Sequence, residues 1–207
     1  KKMSAKAKAK KKRKRILLFM GEVVLLAVML LVLWGVTRTE KVGHLEIPEE
    51  EIVVNESVSE EQLEVMKGYR NVALFGVDST TGALTKNTRS DSIMIASINL
   101  DTKEIRLVSV YRDTFMNLGN DKYNKCNGAY AAGGPKQAIS MLNANLDMNI
   151  KDFVTIGFAG LIDTINALGG IPLDITNEEI HYLNDYQYCI AEDLKRQYTP
   201  VSNAGLQ

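Results

Sequence analysis

Asp91–Leu100 reads DSIMIASINL, Asp101–Glu104 reads DTKE and Ile105–Val110 reads IRLVSV. Two β-rich apolar runs separated by a short polar turn form a hairpin. A third run, NVALFGV at Asn71–Val77, precedes the pair and suits a buried strand. Thr80–Thr88, rich in Gly, Asn, Lys and Thr, connects it to the hairpin as a loop. Three strands joined in sequence run up, down and up. Asp78 ends the first, Arg89 and Asp91 open the second, and Arg112 with Asp113 follows the third. Antiparallel neighbours therefore gather all five residues on one edge of the sheet.

Downstream, a polar segment runs to Asn127, and Gly133-Gly134-Pro135 opens a helix through about Asn145, with Pro in its first turn. Asp152–Gly157 reads as a strand, Phe158–Leu168 as a helix stopped by Gly169 and Gly170, and Ile171–Ile175 as a further strand. A polar helix follows Asn177 to about Gln197. Strands alternating with helices predict an α/β domain, a sheet covered by helices.

Three carboxylates and two guanidiniums on one edge suit a polyphosphate ligand. Carboxylates hold Mg²⁺, which bridges phosphate oxygens, and arginines grip those oxygens bidentately. A carboxylate outside the metal's shell takes a proton from an attacking hydroxyl. Spacing by itself favours the blander reading, ordinary ion pairs at strand ends.

Upstream of the strands the chain changes character. Its 207 residues sum to no net charge, with 25 basic and 25 acidic side chains. Lys1–Arg15 holds ten of the basic residues and no acidic one, so the remainder carries 15 against 25, a net −10. Ile16–Val36 is 21 residues long with one charge, Glu22. As a helix it spans about 31 Å, the thickness of a bilayer core. Trp34 suits the far interface, and Thr37-Arg38-Thr39-Glu40 is a poor signal-peptidase site. The expected arrangement is a basic cytoplasmic tail at 1–15, a single transmembrane helix at 16–36 and an extracytoplasmic remainder, in the plasma membrane. The tail abuts the membrane and lacks interleaved aromatics, so membrane lipid is its expected partner and nucleic acid is not.

Residues 37–68 read as an acidic stalk, with nine Glu between Glu40 and Glu64. Ser59 and Gln62 have capping-box spacing for a short helix near Ser59–Lys67. The domain proper is expected at 69–207. Cys126 and Cys189 are too few for a disulfide framework; they pair with each other or are two separate buried thiols. His44 and His181 have no second ligand at metal-binding spacing. Tyr182, Tyr186 and Tyr188 form an aromatic face best read as packing.

Five blocks in order resemble the LytR-CpsA-Psr family of Gram-positive wall enzymes. Leu74-Phe75-Gly76-Val77-Asp78 is similar to its Gly-x-Asp strand end, and Thr88-Arg89-Ser90-Asp91-Ser92 to its Arg-Ser-Asp-Ser motif. Tyr111-Arg112-Asp113-Thr114 is similar to its Pro-Arg-Asp-Thr motif, with Tyr111 in place of Pro. Lys125-Cys126-Asn127-Gly128-Ala129-Tyr130 with Gly133-Gly134, and Leu168-Gly169-Gly170, complete the set.

The resemblance implies an α/β/α sandwich with a mixed central sheet that holds a polyprenyl chain. It implies a Mg²⁺-dependent phosphotransferase, with Mn²⁺ as a substitute ion. The enzyme would move an anionic glycopolymer, a teichoic acid or capsule, from a polyprenyl-pyrophosphate carrier to a peptidoglycan hydroxyl. Asp78 and Asp91 would organise the metal, Arg89 and Arg112 would hold the pyrophosphate, and Asp91 or Asp113 would be the base. A noncatalytic wall-binding or sensing module and a polyprenyl-pyrophosphate hydrolase are the rival readings. The family's Arg-x-Arg segment would follow Ala204-Gly205-Leu206-Gln207, so a C-terminally incomplete domain of weak activity is expected.

Overall fold

Alternation along β1 (Tyr69–Val77), β2 (Ser90–Asn99) and β3 (Ile105–Val110) decides how they pair. Ala73, Phe75 and Val77 point to one face of β1 and are buried; their neighbours in β1 are only half-buried. The register sets Phe75 opposite Ile93 and Ala73 opposite Ile95, so both strands bury the same face. A one-residue slip would turn that set to solvent. In this computed structural model, which describes residues 18–33, 43–79, 84, 87–119 and 121–206, β1 and β2 pair antiparallel, as do β2 and β3. The fourth strand, β6 (Asp152–Ile156), lies parallel to β1, giving a mixed sheet in the order β3-β2-β1-β6.

The polar segment after Arg112 holds more structure than its sequence shows. Phe115–Asn117 (β4) and Tyr123–Lys125 (β5) form a small hairpin, with Phe115 stacked on Tyr123 at 5.8 Å. Helix α3 (Asn127–Leu146) starts directly behind it. Gly133 and Gly134 break that helix, Gly134 at φ +69°, and Pro135 restarts it. The expected Gly-Gly-Pro start is thus the second of two helical pieces.

Helix α3 covers the buried sheet face. Its Tyr130, Ala138, Ile139, Met141 and Leu142 join Ala73, Phe75, Ile93 and Ile95 in one core. Each fully buried aliphatic contributes about 1.5–3 kcal/mol through water release. Asn143, buried in the same helix, accepts from the Ile150 amide at 2.7 Å and donates to its carbonyl at 3.0 Å. That pairing satisfies a polar side chain which would otherwise oppose burial.

Alternation along β6 places a second helix. Thr155 meets Tyr130 on the α3 side, so Ile156 points the other way, where Gly160 of α4 (Phe158–Ala167) comes against it. Helices thus approach the sheet from both faces. The α4 face is thinly covered, and Ile105, Leu107 and Val154 are more than half exposed.

Four further expectations change. The strand at Ile171–Ile175 shrinks to β7 (Asp174–Ile175), paired with β8 (Gly205–Leu206), because Gly169 and Gly170 at φ +92° and +90° carry the chain through a turn first. Helix α5 (Asn177–Leu194) stops at Lys195 in the left-handed conformation, before Gln197. Cys126 is buried, Cys189 is exposed and both are free, so they neither pair nor share a buried setting.

The stalk, fourthly, is not wholly a solvated spacer. The second of two compact units starts at Ile47, and Ile52 is 8% exposed within the core. The Val53 amide donates to Ser140 Oγ at 3.1 Å, while Glu49 and Glu51 of a 3-10 turn pair with Lys151 and Lys136. Helix α2 (Glu60–Met66) then forms on its Ser59–Gln62 capping box as its spacing predicts.

In the first unit, Lys1–Glu46, residues 18–33 form a helix (α1) exposed along its length. The basic tail and both ends of the expected 16–36 helix lie outside the described residues. Among the described residues no helix is long and apolar enough to cross a membrane. Most of the loop expected at Thr80–Thr88 also lies outside them.

Candidate functional site at the sheet edge

The strand register builds the site. Ile93 stands opposite Val110, which carries Asp91 opposite Arg112 two residues on. Arg112 Nη1 donates to Asp91 Oδ1 at 2.7 Å. On its other side Asp91 falls at an irregularity: Gly76 faces Ser92 but Val77 faces Ser90. The extra residue in β2 is Asp91, and a bulge of this kind re-aims the side chain it carries. Gly76 lets the strands come close here: an added Cβ would stand 3.0 Å from that of Ser92.

Asp113 lies beyond Arg112, its Oδ2 3.8 Å from Arg112 Nε. The β4–β5 hairpin returns the chain so that Lys125 Nζ reaches Asp113 Oδ1 at 2.6 Å. The result is a row of alternating charge: Asp91, Arg112, Asp113, Lys125. The Lys125 hydrogen bond and charge, with a smaller contribution from Arg112, hold the Asp113 carboxyl below the ordinary carboxylate range. Lys125 is the member that reasoning from the sequence left without a role. Its position in the Lys-x-Asn block was the available signal, but the hairpin that delivers it has strands of only three residues.

The 111–114 turn carrying Arg112 and Asp113 is tied down from behind. Cys126 donates its amide to Thr114 O at 2.8 Å and its thiol to Tyr111 O at 3.2 Å, and the Asn127 amide donates to Arg112 O at 3.2 Å. Burial pushes the Cys126 thiol above its ordinary pKa, so it stays protonated and able to donate.

Asp78 and Arg89 occupy the other half of the edge. The Asp78 amide donates to Arg89 O at 3.3 Å, which closes the base of the β1–β2 connection. Asp78, Asn87, Thr88, Arg89 and Asp91 line an open cleft of about 370 Å³. Arg112 and Asp113 do not line it; they reach it through Asp91. Ser90, fully buried between Arg89 and Asp91, has no hydrogen-bond partner for its hydroxyl among the described residues. Every strand-edge residue picked out by parity is therefore on this edge, with Asp91 shared by the cleft and the charged row.

Two carboxylates beside hydroxyl and amide oxygens form a hard-donor set of the kind Mg²⁺ accepts alongside phosphate and water. No cluster of three or more His, Cys, Asp or Glu side chains exists among the described residues, so a metal here would depend on ligand oxygens to complete its shell.

Known proteins share this chain's pattern. Over 123 residues it is 33% identical to the polyisoprenyl-teichoic acid–peptidoglycan teichoic acid transferase TagU of Enterococcus faecalis, covering 59% of this chain and 40% of that protein. Over 112 residues it is 36% identical to biofilm regulatory protein A of Streptococcus mutans, covering 50% of this chain and 28% of that one. The chain thus spans less than half the length of these two relatives. Its fold is similar to that of TagT with bound octaprenyl pyrophosphate lipid, with a TM-score of 0.54 at 21% identity over 79% of this chain and 60% of that one. The LytR_cpsA_psr family profile matches residues 38–196, which takes in the docked stalk, the sheet edge and helices α3 to α5. With that span and the shared fold, the chain belongs to the LytR_cpsA_psr family.

Proposed function

We propose that this domain transfers an anionic glycopolymer from a polyprenyl-pyrophosphate carrier to a hydroxyl of peptidoglycan. The observation that carries the reading is the Asp91–Arg112 pair at 2.7 Å beside the cleft lined by Asp78 and Arg89, on a family member's sheet edge. A relative named as a teichoic acid transferase and a fold neighbour with a bound prenyl pyrophosphate support it.

In the reaction, the acceptor oxygen attacks the phosphorus that bears the glycan. The bond from that phosphorus to the bridging oxygen breaks, polyprenyl phosphate leaves, and a phosphodiester joins glycan to wall. Arg89 and Arg112 bind the phosphate oxygens and offset the charge that grows on the leaving group. Asp78 and Asp91 would hold Mg²⁺, which neutralises pyrophosphate charge when bound. The hydroxyl proton goes to Asp113, whose basicity the Lys125 clamp lowers, or to Asp91 where the metal does not hold it. The apolar 16–36 segment, helical where it is described, anchors the domain in the plasma membrane with the basic tail inside.

The test is incubation of the protein in detergent with Mg²⁺, a polyprenyl-pyrophosphate glycan and peptidoglycan, with lipid and wall products followed by mass spectrometry. The expected result is polyprenyl phosphate plus wall-linked glycan, reduced roughly 10²–10³-fold in Arg112→Ala. Release of lipid phosphate without wall product would make the domain a hydrolase. Lipid bound but never cleaved, alike in parent and variant, would make it a binding module.

A further inference from the structure

Tyr130 is wholly buried, and its ring meets Phe75 edge-on at 5.4 Å. A phenylalanine would make the same ring contact, so the hydroxyl needs a separate reason. Tyr130 Oη lies 2.7 Å from Leu84 O and 3.1 Å from Thr155 Oγ1. The phenol has one proton and a carbonyl can only accept, so that proton goes to Leu84 and Thr155 donates to the phenol oxygen. Leu84 belongs to the connection between β1 and β2, the segment that leaves at Asp78 and returns at Arg89.

Two further contacts hold the same connection. The Asn87 amide donates to the carbonyl of Ala131, next to Tyr130, at 2.9 Å. Asn87 itself sits at φ +79°, a left-handed turn that Asn tolerates, two residues before Arg89. From the other side Gly157 crowds in: a Cβ there would stand 3.0 Å from Ser79 O and 3.3 Å from Leu84 Cδ2. Ser79, Leu84 and Asn87, described residues of the connection, are therefore held between the start of α3 and the β6–α4 junction, above the Asp78–Arg89 backbone bond.

We infer that Tyr130 is a positioning residue of the pyrophosphate site: its hydroxyl fastens the β1–β2 connection at Leu84 and so sets where Arg89 stands. This rests on the transferase reading in one respect only, that Arg89 binds pyrophosphate. Tyr130 touches no substrate and acts through the backbone it holds.

The experiment measures octaprenyl pyrophosphate binding to the full 207-residue chain in detergent with Mg²⁺ by titration calorimetry. Four proteins are compared: parent, Tyr130→Phe, Arg89→Ala and the double variant. Loss of one neutral hydrogen bond weakens binding about fivefold. Tyr130→Phe should do so in the parent and add nothing in the Arg89→Ala background, because the effect travels through Arg89. The Asn87 amide should also exchange its hydrogen faster in Tyr130→Phe. Should that variant not fold, Gly157→Ala presses on the same connection from the opposite side and should show the same dependence on Arg89.

Equal weakening in both backgrounds would mean general loosening and overturn the inference. Unchanged affinity in Tyr130→Phe alongside a weakened Arg89→Ala would remove this inference and leave the transferase site standing. Unchanged affinity in Arg89→Ala would remove Arg89 from the site and the inference with it.

Discussion

Helices α3 and α5 are similar in length and opposite in what holds them. Helix α3 buries eleven residues, among them Tyr130, Ile139 and Leu142, yet has no side-chain N-cap and is broken at Gly133–Gly134. Helix α5 buries none and starts on local chemistry: the Glu179 carboxylate accepts from the Thr176 amide and hydroxyl, both at 2.9 Å. One helix exists because a sheet face needs covering; the other is written mainly in its own first turn. The difference matters for function because α3 also backs the site, through Cys126 and Asn127 on one half and Tyr130 and Ala131 on the other.

The largest expected effect tests that contrast directly. Leu142→Ala should lower unfolding free energy by about 2–5 kcal/mol in urea, while Tyr186→Ala on α5 should stay within about 0.5 kcal/mol. Equal losses would break the comparison.

Gly134→Ala comes next. Its φ of +69° is unfavourable for a residue with a Cβ, so a destabilisation of about 1 kcal/mol is expected by thermal melt. A neutral or stabilising result would mean that the break in α3 is not needed.

A smaller effect should appear with acid. The Thr176 hydrogen bonds hold Glu179 below the ordinary value of 4.5. A depressed carboxyl adds stability that is complete above its unfolded pKa and lost as pH falls through the folded one. Helicity of α5 should therefore hold at pH 5 and decline below about pH 4, and Glu179→Gln should remove that dependence. Circular dichroism of parent against variant checks this.

Least perturbing is thiol labelling. Iodoacetamide should modify Cys189 in the folded protein and reach Cys126, buried and raised in pKa, only after urea. Equal rates would mean that the start of α3 is open.

The same contrast explains what was legible in the sequence. Parity along three strands placed Asp78, Arg89, Asp91, Arg112 and Asp113 on one edge, because strand direction and hairpin adjacency need only local pattern. The capping chemistry at Ser59 was readable for the same reason. Ile52 was hidden because the short run Ile52-Val53-Val54 behind three glutamates carries no period, and only its place in the shared core shows which of the three is buried. Lys125 was hidden because three-residue strands lie below what alternation can reveal.

By itself, then, the sequence determined the longer strands and helices, their order, the edge on which the charges gather and the family pattern they form. Those depend on side-chain type and on periods of two and 3.6, which are local properties. The tertiary structure decided the bulge that re-aims Asp91, the return of Lys125 to Asp113, and the Tyr130–Leu84 bond across 46 residues. Each of these joins groups far apart in the chain, and such contacts form only when a shared core holds both ends in place.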